Sequence, residues 1–249
     1  MNKRFNEILN ILSSKGRVDV VELSKLLNVS QVTIRKDLNE LEENGIVKRE
    51  HGYALLKTTN DISGRLAYHY DDKLKIAKKA AELVNDNETV IIENGSCCAL
   101  LAKELSETKN NITIITNSAF IAGYCRKSKN TNQIILLGGI YQKDSEVNVG
   151  PNIKNQINDF YVEKFFIGVD GYSNKTGFTN SDQLRAQVVK DIASQVNEII
   201  VLTESEKFNK HGIVPMRIED KVSTVITDNK ITKETIDDLK KQNIKIITI

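Results

Sequence analysis

The chain lacks several features that mark whole classes of protein. It has no run of about 18 apolar residues that could span a membrane as a helix, and its start, MNKRFNEILN, lacks the apolar core of a signal peptide. It has only three cysteines in 249 residues, none of them in a C-x-x-C pair. Its histidines show no metal-ligand spacing. We therefore expect a cytoplasmic protein with no membrane partner, no disulfide framework, no metal and no cofactor.

A strong charge of either sign is also absent. Lysine and arginine total 35 against 33 acidic residues, so the net charge is +2. That balance is too small for a general polyanion binder, and any affinity for nucleic acid has to come from a local face. The length of 249 residues is enough for a small domain of about 55 residues beside one α/β core of about 190.

Residues 18–41 contain two short helical patterns joined at Asn28-Val29-Ser30. Ser30 is placed to cap the second helix, because its hydroxyl can accept a hydrogen bond from an N–H of the first turn. The second helix carries side chains that can pair with base edges or phosphates. The pattern is typical of a helix-turn-helix whose second helix enters the major groove of DNA. The alternative is a solvated helix pair inside a larger domain.

The same periodicity predicts which faces of the two helices are buried. The buried residues are expected to be Val21, Leu23, Leu26 and Leu27 in the first helix, and Ile34, Leu38 and Leu41 in the second. The polar residues that remain for DNA contact are Ser30, Gln31, Thr33, Arg35 and Lys36.

The flanks of this segment favour a winged helix. Upstream, Phe5, Ile8, Leu9 and Leu12 predict an amphipathic helix that ends at Gly16. Downstream, Asn44-Gly45 ends the recognition helix, and residues 46–49 and 53–56 read as two strands around a tip at 50–52. Lys48, Arg49 and His51 on this wing would reach phosphates or the minor groove, and the alternative is a charged hairpin without a function.

From Lys73 onward, a strand, a polar turn and a helix alternate. Apolar strands in such an alternation predict a mostly parallel sheet that is buried on both faces. We therefore predict a winged helix-turn-helix domain at 1–57, a linker at 58–72 and an α/β domain at 73–249. The predicted strands are 89–92, 112–115, 134–137, 165–169, 199–202, 225–227 and 244–249, and the predicted helices include 73–84, 99–105, 184–196 and 233–241.

Ligands of such sheets bind beyond the carboxyl ends of the strands, and small and polar residues stand at these ends. Gly95-Ser96 before a helix is the best candidate for a phosphate site, because the helix N-terminus supplies N–H groups and a favourable dipole. The alternative is an ordinary strand-to-helix turn. Cys97 and Cys98 are expected to be packing residues, since no histidine accompanies them. Lys207 can pair with a phosphate or with its acidic neighbours.

Residues 4–54 resemble the N-terminal domain of the DeoR family of bacterial regulators of sugar metabolism. The resemblance rests on V-x2-L-S-x2-L-x-V-S-x2-T-I-R-x-D-L-x2-L-E at residues 20–42 and on R-x-H-G at residues 49–52. Tyr53 departs from the pattern, where the family usually has a second glycine. The resemblance implies a DNA-binding winged helix, and from their place on the wing Arg49 and His51 join the predicted DNA-contacting residues.

Residues 65–228 are similar to the sensor domain of the same family, through Glu93-x-Gly-Ser, Thr116-Asn-Ser, Gly138-Gly139, Phe166-Ile-Gly-x-Asp-Gly and Glu204-x2-Lys-Phe. That resemblance implies a Rossmann-like fold, shared with ribose-5-phosphate isomerases, that senses a phosphorylated sugar. Glu93 and Glu204 stand where the family often has aspartate, and Cys97 where threonine is common. The implied effector-binding residues are Glu93, Gly95, Ser96, Cys97, Asn117, Gly138, Asp170, Gly171, Glu204 and Lys207.

The resulting hypothesis is a transcriptional regulator and not an enzyme. We expect a repressor of a carbohydrate operon that binds double-stranded operator DNA as a homodimer or homotetramer and responds to a phosphorylated sugar. The first alternative is an isomerase-like enzyme with a fused DNA-binding domain, using Glu93 or Glu204 as the base. The turn after Asp170 lacks the further acid that the related isomerases carry there. The second alternative is a protein-interaction domain with an empty pocket.

Overall fold

The computed structural model describes residues 3–43, 46–50, 52–56, 62–126 and 133–249. The chain divides by its internal contacts into two units, residues 1–71 and 72–249, and each is described by itself. The predicted linker at 58–72 contains a short helix at Ile62–Ala67. The predicted limits of the domains stay a prediction.

The first unit is built from short helices and one small antiparallel sheet. The helices are α1 (Lys3–Lys15), α2 (Val20–Leu26), α3 (Gln31–Glu43) and α4 (Ile62–Ala67), and the strands are β1 (Arg17–Asp19), β2 (Val47–Glu50) and β3 (Tyr53–Leu56). Strand β3 lies between β1 and β2 and pairs with both. The helices and the hairpin expected of a winged helix are therefore present, and β1 is an addition that the sequence did not predict.

Helix α1 behaves as its periodicity predicts. The four apolar residues predicted to be buried, Phe5, Ile8, Leu9 and Leu12, are all buried, and Gly16 follows the helix with a φ of +73°. Helix α2 is different, because Val21 is 44% exposed and Leu26 is 52% exposed, so the prediction that both are buried was wrong. Leu23 is buried as predicted, Leu27 is only partly buried, and Val20, which was not predicted, is buried. Asp19 caps α2 by accepting the N–H of Glu22 at 2.8 Å.

The second unit contains a seven-stranded sheet in which every pair is parallel. Its strands are β4 (Thr89–Ile92), β5 (Thr113–Thr116), β6 (Gln133–Leu136), β9 (Val162–Ile167), β12 (Val196–Leu202), β14 (Val222–Thr227) and β15 (Lys245–Thr248). Their order across the sheet is β15-β14-β12-β9-β4-β5-β6. Phe165 and Phe166 are adjacent on the central strand, point to opposite faces and are both fully buried. The sheet is therefore covered on both faces there, as predicted.

Helices alternate with these strands, and small strands extend their loops. The helices are α5 (Tyr70–Ala81), α6 (Ser96–Thr108), α7 (Ala119–Cys125), α8 (Asn152–Ile157), α9 (Gln183–Ala193) and α10 (Lys233–Lys241). The additional strands are β7 (Ile140–Gln142), β8 (Val147–Val149), β10 (Gly171–Ser173), β11 (Gly177–Asn180) and β13 (Val214–Pro215). Two short 3-10 helices occupy Ser205–Asn209 and Glu219–Lys221. Within the described ranges, no helix is long and apolar enough to cross a bilayer.

Candidate DNA-binding face and effector site

Ser30 caps the recognition helix α3, as predicted. Its hydroxyl oxygen accepts the N–H of Thr33 at 3.1 Å, and the two hydroxyls lie 2.8 Å apart. The buried side of α3 is formed by Ile34, Leu38 and Leu41, which are all fully buried. The helix is thus held in the core of the first unit by one face.

The opposite face of α3 is open to solvent. Gln31, Arg35 and Lys36 are exposed, and Thr33 is half-buried by its contact with Ser30. These side chains supply an amide, a guanidinium and an ammonium group, which can reach base edges and phosphates. The placement suits a helix that enters the major groove.

The wing is attached to α3 by Arg49. The N–H of Arg49 donates to Glu42 Oε1 at 2.9 Å, and its guanidinium donates to the side-chain oxygen of Asn39. On the same strand, Lys48 pairs with Glu50. Arg49 therefore fixes the hairpin against the recognition helix, and the other N–H groups of its guanidinium remain available for DNA. His51, the other predicted wing contact, lies outside the described residues.

In the second unit, the predicted effector residues stand at one edge of the parallel sheet. Parallel strands end at a common edge, and each candidate follows the end of a strand or begins the element after it. Glu93, Gly95, Ser96 and Cys97 follow β4, Asn117 follows β5, Gly138 follows β6, Asp170 and Gly171 follow β9, and Glu204 and Lys207 follow β12. The fold therefore brings to one edge residues that are far apart in the chain.

The closest approach at this edge joins the loops after β4 and β9. A Cβ on Gly95 would lie 3.1 Å from the Cα of Gly168, so the two loops approach closely where both residues are glycine. Glu93 Oε2 accepts the N–H of Gly168 at 3.3 Å. Gly95 is the N-cap of α6 and brings no side chain, so no N-cap side chain satisfies the first N–H groups of this 13-residue helix.

A buried ion pair lies beside this helix start. Lys73 Nζ is 2.8 Å from Glu204 Oε1, and the two side chains are 3% and 8% exposed. The thiol of Cys97 faces the other carboxylate oxygen, with Sγ 3.8 Å from Oε2. Sequence reasoning did not select Lys73, although a signal was present. It occupies the apolar face of α5 with Tyr70, Ile76, Ala77 and Ala80, where a lysine needs a partner.

The two cysteines of α6 are packing residues in the structure. Burial raises the pKa of the Cys97 thiol well above its usual value, and the charge of Glu204 adds to the effect. Burial and the charge of Glu93 raise the pKa of Cys98 in the same direction. Both thiols are therefore protonated at neutral pH, which argues against a nucleophile and leaves Cys97 as a weak hydrogen-bond donor.

Three predicted residues have close contacts within the protein, which are hydrogen bonds for Gly138 and Asp170 and a tight backbone approach for Gly171. The side-chain amide of Gln156 bonds both the N–H and the carbonyl of Gly138, at 2.9 and 3.0 Å. Asp170 Oδ2 accepts the N–H of Ser181 at 2.8 Å. A Cβ on Gly171 would lie 2.1 Å from the carbonyl oxygen of Lys210. These contacts hold the loops at the three residues, and their role in effector binding stays a prediction.

Lys207, a positively charged residue among the predicted effector residues, lies in the loop after β12. Lys207 lies in the 3-10 helix that follows Glu204, and its backbone N–H donates to the carbonyl of Glu204 at 3.0 Å. Burial is the main cause of the raised pKa of the Cys97 thiol, and the positive charge of Lys207 partly offsets that rise. Two lysines, Lys73 and Lys207, thus stand near the start of α6. Among the described residues, no group of three or more histidine, cysteine, aspartate or glutamate side chains is placed to hold a metal ion.

Comparison with known proteins agrees with both halves of this description. A family model for a DeoR-like helix-turn-helix domain matches residues 4–60, and one for the DeoR C-terminal sensor domain matches residues 68–229. The chain belongs to the DeoR family. It is a DNA-binding transcriptional regulator, and the resemblance found in the sequence is confirmed.

Relatives within the DeoR family match almost the whole chain. It is 32% identical over 236 residues to the HTH-type transcriptional regulator GolR of Listeria innocua, covering 93% of this chain and 92% of that protein. It is 29% identical over 234 residues to the regulator IolR of Bacillus subtilis, with the same coverage of 93% and 92%. A solved ribose 5-phosphate isomerase A of Methanocaldococcus jannaschii is 21% identical over 56% of this chain and 54% of that chain, with a TM-score of 0.40. That likeness is too low to support an argument.

Proposed function

We propose that this DeoR-family regulator represses a carbohydrate operon and releases its operator when a phosphorylated sugar binds at the carboxyl edge of the parallel sheet. The observation that carries the proposal is the start of α6, which no N-cap side chain closes, at the carboxyl edge of the parallel sheet. The helix dipole favours an anion there, Lys207 supplies positive charge nearby, and Lys73 supplies it once its ion pair with Glu204 opens.

The DNA-binding half of the proposal rests on the exposed face of α3. Gln31, Arg35 and Lys36 face solvent there, while the other side of the helix is buried. One winged helix offers too little surface for tight and specific binding, so we propose that the regulator binds paired half-sites as a homodimer or homotetramer.

The ion pair of Lys73 offers a way for the ligand to act on the DNA-binding unit. In this structure Glu204 neutralises Lys73, and a bound phosphate would compete for the same ammonium group. Lys73 belongs to α5, which begins at Tyr70, close to the division between the two units. A ligand that prefers one position of α5 has the differential affinity that allosteric control requires.

Enzyme activity is not part of the proposal, because the relatives that match almost the whole chain are named as transcriptional regulators. Each candidate carboxylate also has a contact within the protein. Glu93 accepts an N–H from Gly168, Asp170 accepts one from Ser181, and Glu204 is paired with Lys73.

The DNA-binding half is tested with the full chain and a labelled duplex of its own upstream region. Fluorescence anisotropy at fixed salt should show saturable binding that a scrambled duplex does not compete away. Arg35→Ala should weaken the binding by at least about tenfold, because a guanidinium contact to a base or phosphate is lost. Lys78→Ala removes one exposed positive charge from α5 and serves as the control, which should bind as the unaltered protein does.

The effector half is tested by thermal melting with sugar phosphates, the matching free sugars and inorganic phosphate. A sugar phosphate at a hundred times its Kd should raise the melting temperature of the sensor unit by about 5–10 °C. The free sugar should have little effect, because it lacks the anion that the start of α6 binds. A panel in which no sugar phosphate changes the melting temperature would favour a sensor domain with an empty pocket.

A further inference from the structure

A valine stands on the outer face of the recognition helix α3. Val32 is the second residue of this helix and is 73% exposed. Among the described residues of the first unit it is the most exposed of the large apolar side chains, ahead of Val21, Leu26 and Tyr53. Single exposed apolar residues are common on protein surfaces, so exposure by itself assigns no role to Val32. Its position on α3 does.

The direction of Val32 follows from the contacts that hold α3 in the first unit. The fully buried side of the helix begins at Ile34. Asp37, on the same side, is 4% exposed and pairs with Arg4 of α1, whose Nη2 donates to Oδ1 at 3.0 Å. These contacts fix the rotation of α3 about its own axis. Val32 precedes Ile34 by two residues, which is about 200° around an α-helix, so it projects away from the core.

Val32 shares this outer face with two of the cations that are predicted to contact DNA. Residues three and four positions apart lie on the same side of a helix, so Arg35 and Lys36 are neighbours of Val32. All three side chains are exposed. In a helix-turn-helix, residues near the N-terminus of the second helix contact base edges in the major groove. The face that presents Arg35 and Lys36 to DNA therefore presents an isopropyl group as well.

The chemistry of valine limits what Val32 can recognise there. Its side chain has no hydrogen-bond donor or acceptor, so it cannot pair with the polar groups of a base edge. The apolar group that base pairs present in the major groove is the C5-methyl group of thymine. The β-branch leaves valine one strongly preferred rotamer in a helix, so the contact costs little side-chain freedom. A thymine methyl group is therefore the part of DNA that fits Val32.

We propose that Val32 determines part of the operator sequence by packing against the C5-methyl group of a thymine in each half-site. The proposal rests on the DNA-binding half of the proposed function, because it requires α3 to enter the major groove. Sequence reasoning selected the polar residues of this face and did not select Val32, because it looked for groups that form hydrogen bonds.

The test removes single methyl groups from the DNA. The full chain is bound to a labelled duplex of its own upstream region, cut to the shortest length that keeps full affinity, and each thymine is replaced in turn by deoxyuridine. Deoxyuridine keeps the base pair and the O4 acceptor of thymine and lacks only the C5-methyl group. At one or more thymines in each half-site, this change should weaken binding by about three- to fivefold, which is the effect of one buried methyl group.

Val32→Ala identifies the protein side of the contact. The side chain is exposed and alanine is the better helix former, so the variant should melt at the same temperature or slightly higher. It should bind the parent duplex about three- to tenfold more weakly. Deoxyuridine at the sensitive thymine should then change its affinity by less than about twofold, because the methyl group has already lost its partner.

Ile213→Ala is the matched control. Ile213 is a branched apolar residue of the second unit and is 83% exposed, so this variant also shortens an exposed side chain. It should bind the parent duplex as the unaltered protein does. It should also keep the full loss of about three- to fivefold when deoxyuridine replaces the sensitive thymine.

The possible failures are distinguishable. Deoxyuridine that changes binding by less than about twofold at every thymine would overturn the proposal. A deoxyuridine effect of the same size in Val32→Ala and in the unaltered protein would assign the methyl contact to another residue and overturn it as well. In both cases the DNA-binding face stands if Arg35→Ala still weakens binding. Unchanged binding by Arg35→Ala would show that α3 does not enter the groove, and would refute the DNA-binding half of the proposed function together with this inference.

Discussion

The buried pair of Lys73 and Glu204 allows a prediction of defined size. Both side chains are almost fully buried, at 3% and 8% exposure, and their charged atoms are 2.8 Å apart. Removing one partner leaves the other charge buried without its counterion, which costs about 3–5 kcal/mol. Lys73→Met and Glu204→Gln should therefore each lower the free energy of unfolding of the sensor unit by that amount.

The double variant distinguishes a charge effect from a packing effect. With both charges removed, no unpaired ion remains, so Lys73→Met/Glu204→Gln should cost less than the sum of the single variants by at least about 2 kcal/mol. Urea denaturation of the full chain, followed by circular dichroism, measures all four proteins. Single variants within about 1 kcal/mol of the unaltered protein, or strictly additive losses, would refute the reasoning.

Three further predictions concern single residues. Gly171→Ala should destabilise the sensor unit by about 1–3 kcal/mol or more in thermal melts, because the new Cβ would overlap the carbonyl oxygen of Lys210. Burial raises the pKa of Asp228, but hydrogen bonds from Ser205 and Lys230 outweigh it and hold the pKa below 3.8. The stabilisation by ionised Asp228 is therefore present above the unfolded-state pKa and is lost as the pH falls through the folded one. Asp228→Asn should destabilise the chain at pH 7, and in urea titrations its difference from the unaltered chain should shrink as the pH falls below about 4. Ser30→Ala should cost the first unit about 1 kcal/mol in the same assay, because the cap of α3 is lost.

Each of these predictions has an outcome that contradicts it. An unchanged melting temperature for Gly171→Ala would mean that the loop at Lys210 moves away freely. If the difference in the free energy of unfolding between Asp228→Asn and the unaltered chain stays constant from pH 7 to pH 3, ionised Asp228 does not stabilise the folded chain. Stability unchanged by Ser30→Ala would show that the hydroxyl does not cap α3 in solution.

Local patterns predicted the regular elements of this fold. The strand at Thr89–Ile92 and the helix at Lys233–Lys241 have the predicted limits. Each is bounded by turn residues, and its apolar spacing fits one kind of element only. The strand at Arg17–Asp19 was missed, because three residues carry no periodicity and this strand exists only through its pairing with β3.

The error in α2 also has a local cause. Apolar residues at positions 20, 21, 23, 26 and 27 fit more than one helical phase. In the structure, Val20 and Leu23 are buried and Leu26 is exposed. Apolar spacing alone could not choose between these phases, because the packing of α2 in the first unit decides which face is buried.

The candidate site was predictable in position but not in its contacts. Polar residues after apolar strands located the edge, and Gly95-Ser96 located the start of α6. The partners were hidden, because Lys73 meets Glu204 and Asn117 meets Asn148 only through the tertiary fold. Which of the predicted residues bind DNA or effector remains a prediction until variants are measured.

The most direct test of the account measures release of DNA by the effector. The full chain is bound to a labelled duplex of its upstream region, and the tightest-binding sugar phosphate is added while anisotropy is recorded. The account predicts release from the unaltered protein and binding of DNA without release for Lys207→Ala. It predicts loss of DNA binding but normal effector binding for Arg35→Ala. If the sugar phosphate leaves the complex intact, or if both variants lose both properties, the division of labour between the two units is contradicted.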